Sequence, residues 1–170
     1  MTSIATGFID VLDGARIHLH ASPDDYSRFV DAREVIERLA LRPHPEGGWY
    51  AETWRADAEL GARAAGSAIF FLLAAGERSH WHRVIDAAEV WLFHAGGALE
   101  LRIQPRPGDP VAAITIGPEL AAGQRPQAVV PAGAWQAARP LGAWTLVSCV
   151  VVPAFEFSSF ELAPEGWEPR

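Results

Sequence analysis

SHWHRVIDAAEVWLFHAGG, residues 79–97, carries two histidines one residue apart, then a glutamate, then an aromatic run that closes on two glycines. Short runs of this kind, alternating or wholly apolar and bounded by turn residues, are strand signals. Residues two apart on a strand project to the same side, so regular extension puts His80, His82 and Val84 on one face and Ser79, Trp81 and Arg83 on the other. If Glu89 opens the next strand, it shares a face with Trp91 and Phe93. A hairpin between the two strands, turning at Asp86, then brings the carboxylate beside the imidazoles. Two imidazoles and a carboxylate are a part-shell for iron, zinc or manganese, and equally a hydrogen-bonded acid–base group. Spacing alone leaves both readings open.

The neighbouring sequence has the same texture. SAIFFLLAAG, ALELRIQ, VAAITIG, QAVVPAG, AWTLVSCVVVP and FEFSSFELA are short apolar or alternating runs, separated by turns such as RPGDP (106–110) and PAGAW (131–135). Many short strands with closely spaced turns predict an antiparallel sandwich or barrel of about eight or more strands, not βαβ units. Trp144–Val152 is apolar on both alternating faces, which predicts a second sheet over one face and a partner subunit over the other. Upstream, residues 24–41 show helical spacing of Phe29, Val35, Ile36 and Leu39. Ser22 or Asp31 is the candidate cap, and Pro43 and Pro45 are the stop. Residues 1–22 read as an N-terminal arm, with RIHLH (16–20) as an edge strand or loose segment, and 23–170 as one domain.

With 170 residues, the chain is long enough for one domain with a sizeable core. Its net charge of -7 leaves no general attraction to phosphate backbones or anionic lipid, which argues against nucleic acid and membrane partners. All 14 cations are arginine, so lysine bases and Schiff-base chemistry are excluded. The single cysteine, Cys149, cannot form an internal disulfide and reads as a small buried hydrophobe. The N-terminal stretch lacks the charged region of a secretory signal, and no apolar run approaches membrane-spanning length, so a cytoplasmic protein is expected.

LRPHPEGGWYAETWR (41–55), the SAIFFLL strand, SHWHRV, AEVWLFHAG, QAVVPAGAWQAA and VVPAFEFSSFELA follow one another in an order that resembles a small single-domain cupin family of uncharacterised function, marked by PHPEGG and called the fifth cupin subfamily. The stretch from His80 to Gly96 is similar to the first cupin motif, although six residues separate His82 from Glu89 where three or four are usual. GQRPQAVVPAGAWQ (123–136) is similar to the second, with Gln136 where a histidine ligand normally stands. The resemblance implies an all-β fold, a cupin double-stranded β-helix (a jelly-roll barrel) with a short N-terminal helical segment, usually a homodimer, enclosing a ligand-sized cavity. It implies no reaction.

Three readings of the site follow. In the preferred one no metal is bound: a small polar, carbohydrate-like metabolite occupies the barrel, His82 acts as base with Glu89 in support, and Tyr50 returns the proton in the manner of an isomerase or epimerase. Gln136, Glu46, Glu52, Trp91 and His80 are then the substrate-binding candidates. In the second, His80, His82, Glu89 and Gln136 ligate a divalent transition metal for oxygenase or lyase chemistry, with the neutral amide a weaker ligand than imidazole. The third is a non-catalytic module for a small ligand. Arg83 and His94 are expected to point away from the site, and Trp91, Phe93, Trp135 and Trp144 to serve mainly as core.

Overall fold

The computed structural model describes residues 31–169, so the arm at 1–22, the strand at 16–20, the Ser22 cap and the first part of the expected helix lie outside the described residues. Helix α1 spans Ala32–Arg38. Its N-cap is Asp31, whose carboxylate accepts a hydrogen bond from the Arg33 amide at 2.9 Å. The helix closes before the expected residue 41 because Ala40 turns into the left-handed region at φ 51°, and the Leu41 amide returns to the Ile36 carbonyl.

Eleven strands follow: β1 (Arg42–Pro43), β2 (Trp49–Arg55), β3 (Ser67–Ala74), β4 (Ser79–Val84), β5 (Ala88–Gly96), β6 (Leu99–Gln104), β7 (Ala112–Ile116), β8 (Gln127–Val130), β9 (Trp135–Pro140), β10 (Trp144–Val152) and β11 (Phe160–Leu162). They form two antiparallel sheets, β1-β2-β3-β10-β5-β8 and β11-β4-β9-β6-β7. Strands distant in sequence are neighbours in both, β3 with β10 and β4 with β9, which is the topology of a jelly roll. No helix among the described residues is long and apolar enough to cross a membrane.

Between the sheets lies a packed layer that includes Phe71, Leu73, Leu99, Leu101, Ile116 and Val147, each at most 1% exposed. The outer face of the six-stranded sheet is covered along part of its length by α1 and the segment after it, where Val35 and Leu41 meet Leu72, Trp144 and Leu146. This corrects the expectation for Trp144–Val152: a helix of the same chain, not a partner, covers its first outward residues. Amphipathic spacing in a seven-residue helix accounts for the fit.

A second correction concerns the opening motif. β4 and β5 do not form a hairpin, because each belongs to a different sheet. Residues 85–87 cross between the sheets, and Asp86 anchors the crossing. Its carboxylate pairs with Arg63 at 2.7 Å and accepts a hydrogen bond from the Ser159 hydroxyl at 2.7 Å. His82 and Glu89 therefore belong to the two opposing sheets of the barrel.

Candidate functional site

At one end of the barrel the packed layer gives way to a cavity of about 380 Å³. Strands from both sheets line it: Tyr50 and Glu52 from β2, His82 from β4, Glu89 from β5, Cys149 and Val151 from β10. The loop before β2 contributes His44 and Glu46, and the segment before β11 contributes Phe155, Phe157 and Phe160.

The PHPEGG stretch has a structural reason. His44 and Gly47 make a tight turn (Gly47 amide to His44 carbonyl, 3.0 Å), and the Glu46 carbonyl accepts from the His80 amide at 2.8 Å, tying the turn to β4. Gly47, at φ 107°, lies so close to β4 that a Cβ would sit 2.2 Å from the Arg78 carbonyl oxygen. Gly48, at φ 71°, has Leu73 and the Leu72 carbonyl within 2.7 Å of the same imagined atom. Two glycines are thus needed to lay the loop flat on the sheets, and that places the Glu46 side chain inside the barrel.

There Glu46 is buried beside His82. Its Oε1 accepts from the Ser79 hydroxyl at 2.9 Å, and its Oε2 lies 3.3 Å from His82 Nε2 and 3.5 Å from His44 Nδ1. His82 Nδ1 is 2.8 Å from the His80 carbonyl, which can only accept, so Nδ1 carries hydrogen. The neutral ring therefore presents its Nε2 lone pair to Glu46. Burial raises the Glu46 pKa to about 8, with the Ser79 hydroxyl opposing. Burial also lowers the His82 pKa, against the attraction of Glu89. At neutral pH the pair thus holds one proton on the carboxyl, directed at a neutral imidazole.

Glu89 completes the second sheet's contribution. Its Oε2 accepts from Gln136 Nε2 at 2.5 Å, and Gln136 Oε1 accepts from the Trp91 indole at 2.9 Å. Burial raises the Glu89 pKa, with Glu46 adding to the rise and His82 opposing it. The Cys149 thiol, hydrogen-bonded to Glu89, is pushed up as well, first by burial and then by the two carboxyls. His44 is held down at about 4 by burial and by His82, its ring edge-on to Tyr50 at 4.6 Å.

The structure thus brings together His82, Glu89, Tyr50, Glu46 and Glu52, and separates the other candidates from them. His80 is turned away: its Nε2 lies 3.1 Å from the Pro164 carbonyl, at a separate depression of about 120 Å³ that Arg78 and Glu100 also line. A register shift between Ser79 and His82 in the β4–β9 pairing breaks the simple alternation, so Ser79 rather than His80 accompanies His82. Gln136 and Trp91 lie behind Glu89, fully buried, and neither lines the cavity. Glu52 lines it but is ion-paired to Arg55 at 2.7 Å.

The four proposed metal ligands consequently do not converge. One imidazole faces Pro164, and the Gln136 oxygen is occupied by an indole N–H. Among the described residues no group of three or more His, Cys, Asp and Glu side chains is arranged to hold a metal ion. Arg83 does point away, onto Glu161 and over the Trp135 ring, and His94 bonds Ser148 on the outer face. Spacing gave no sign of Ser79 or of the Phe155–Phe160 wall. Cys149 was expected to be buried, which it is, but it lies at the cavity wall.

The family model described as "Cupin superfamily (DUF985)" matches residues 33–163. The chain belongs to that family. This cupin is similar to protein SO0799 from Shewanella oneidensis, 38% identical, with a TM-score of 0.73 over 78% of this chain and 84% of that one. It is similar as well to a hypothetical protein from Leishmania major, 33% identical, with a TM-score of 0.69 over 78% of this chain and 87% of that one. The capsular polysaccharide assembling protein CapF from Staphylococcus aureus shares the fold alone: 14% identity and a TM-score of 0.54 over 72% of this chain and 33% of that one. No curated protein matches.

Proposed function

We propose that this cupin binds a small polar, hydroxylated metabolite in the barrel cavity and moves a proton on it, with His82 as the base. The observation that carries the reading is the His82 Nε2–Glu46 Oε2 approach of 3.3 Å on the wall of a ligand-sized cavity. A neutral imidazole whose Nε2 is unprotonated is a competent base once the substrate carbonyl draws the Glu46 proton to itself, and a carboxyl kept protonated by burial is a competent acid at the same pH. With a carbonyl compound bound, Nε2 takes the proton from the carbon next to the carbonyl. The electron pair of that C–H bond forms the C=C bond of an enol, and Glu46 gives its proton to the carbonyl oxygen. As the carbonyl reforms, the enol hydroxyl returns its proton to the Glu46 carboxylate and the C=C electron pair takes a proton at carbon, giving an isomer or epimer. That proton comes from the His82 imidazolium, or from Tyr50, in which case the imidazolium and the phenolate are reset by proton exchange with solvent. Glu89, fixed by Gln136 and Trp91, stabilises the imidazolium formed midway.

The test is proton NMR in D2O with a panel of hydroxy-aldehydes and hydroxy-ketones. Wild type is expected to exchange the carbon-bound proton for deuterium, and His82→Ala to lose that exchange while retaining its fold. Ligands that raise the melting temperature without any exchange would make the cupin a binding module instead. We place it in a homodimer as well: Val90, Leu92 and Val150 are only partly buried, and Val129 and Val152 are exposed, on the outer face of the six-stranded sheet. Sedimentation of wild type against Leu92→Glu tests that part.

A further inference from the structure

We infer that Arg42 makes the cavity selective for a ligand carrying a carboxylate or phosphate. The inference rests on the barrel cavity being the ligand site and adds the chemical class of what enters it. Arg42 is exposed on the two-residue strand β1 and lines the cavity, with its guanidinium carbon 4.9 Å from the centre of the Tyr50 ring. That ring is the guanidinium's one partner among the described residues.

The contrast with the other cavity cation is informative. Arg55 is committed, with a 2.7 Å ion pair to Glu52 and a 3.2 Å bond to the Phe155 carbonyl. Among the described residues the Arg42 fork has neither a carboxylate nor a carbonyl to occupy it. Stacking on an aromatic face holds a guanidinium plane while leaving its N–H groups free, and their geometry matches the paired oxygens of carboxylate or phosphate. Stacking therefore lowers the ordering cost of binding such a group, since the plane is held beforehand.

The opposing charges are limited. Glu52 is neutralised by Arg55, and burial holds Glu46 mainly protonated at neutral pH. Glu89 is likewise displaced toward its neutral form by burial. Glu156 is the exception: it lines the cavity, its side chain has among the described residues only a 3.4 Å bond from the Ser158 hydroxyl, and it makes no ion pair with Arg42. Phe155, Phe157 and Phe160 supply an apolar wall for the carbon skeleton. A ligand with an anionic end at Arg42 and a hydroxylated body within the barrel uses every feature of this cavity.

The experiment is isothermal titration with three matched probes, D-glucose 6-phosphate, D-gluconate and D-glucose, against wild type, Arg42→Gln and Glu156→Gln. Wild type is expected to bind at least one anion about tenfold more tightly than glucose, the weight of one charge-assisted contact. Which anion wins tells phosphate from carboxylate. Arg42→Gln should lose that preference with its unliganded melting temperature unchanged, and Glu156→Gln should strengthen it. Equal affinity for the three probes, failure of both anions to bind, or a preference that survives in Arg42→Gln would overturn the inference. Glucose binding that is lost in His82→Ala but intact in Arg42→Gln, with no gain for the anions, would leave the proton-transfer reading standing without this one.

Discussion

The two ends of the barrel are built from the same strands and have opposite interiors. Along β10 the inward residues run Thr145, Val147, Cys149, Val151, and the first two are 0% exposed in a sealed interior. The next two line the cavity. On β5 the inward side chains change from Phe93 and Trp91 in the packed layer to Glu89 at the cavity. At the sealed end, side chains fill the space between sheets and burial is favourable outright. At the open end, four titratable groups (His44, Glu46, His82 and Glu89) are buried together, and each is displaced toward its neutral form. The difference teaches that the site is held in place by packing it does not itself contribute to. Its own groups cost stability, and their contacts offset part of that cost.

The widest separation of the two ends should come from truncation. Leu101→Ala in the sealed layer is expected to lose about 2–5 kcal/mol, since the neighbours cannot collapse into the space. Val151→Ala, which only enlarges an existing cavity, should lose about 1 kcal/mol, at the low end for a partly relieved truncation. Urea denaturation of the two variants checks the gap, and equal losses would break the comparison.

Next in size is Gln136→Leu, which strands the Glu89 carboxyl and the Trp91 indole at once. About 1–3 kcal/mol is expected, together with a further rise in the Glu89 pKa because a hydrogen bond to the carboxylate is removed. Denaturation and carboxyl infrared spectroscopy would show both.

The third prediction concerns pH. The folded Glu46 carboxyl titrates near 8, against an ordinary value of 4.5, so the folded state binds more protons than the unfolded state between those limits. Stability falls as pH rises through that interval and levels off above about 8. The lowered His44 and His82 act in the opposite sense below 6.5, their ordinary value, where stability falls as pH falls. Since the unfolded histidines have lost most of their protons by about pH 7.5, the carboxyl effect dominates between pH 6.5 and 8. Wild type should lose about 2 kcal/mol across it, and Glu46→Gln should lose much less, because the amide reproduces the protonated acid. Glu89, also raised, leaves a residual slope. Melting curves at the two pH values decide it.

The smallest effect is expected at the rim. Glu52→Gln breaks an exposed pair with Arg55 and should change stability by less than about 1 kcal/mol. A large loss there would mean that the rim, like the sealed end, carries the fold.

Much of this was legible from residue order. Short strands bounded by Gly and Pro, the Asp31 cap, the outward-facing Arg83 and His94, and the ordered cupin-like motifs can all be read from local pattern, because each depends on neighbours within a few positions. His80 could not be placed that way. A register shift on β4 turned it to Pro164, and no periodicity records such a shift. Gln136 was misplaced for a related reason: its amide is claimed by Trp91 and Glu89, and only tertiary packing decides which partners a buried amide meets.

By itself, then, the sequence determined an all-β jelly roll of the cupin superfamily, and it singled out His82 and Glu89 as candidates. Only the tertiary structure decided that these two come from opposing sheets, that Glu46 is the partner of His82, and that Arg42 stands over Tyr50 with no counter-ion among the described residues. The physical reason is range. Turns and strand faces follow from steric rules between adjacent residues, whereas the charge state of a buried carboxyl depends on every group that displaces water around it.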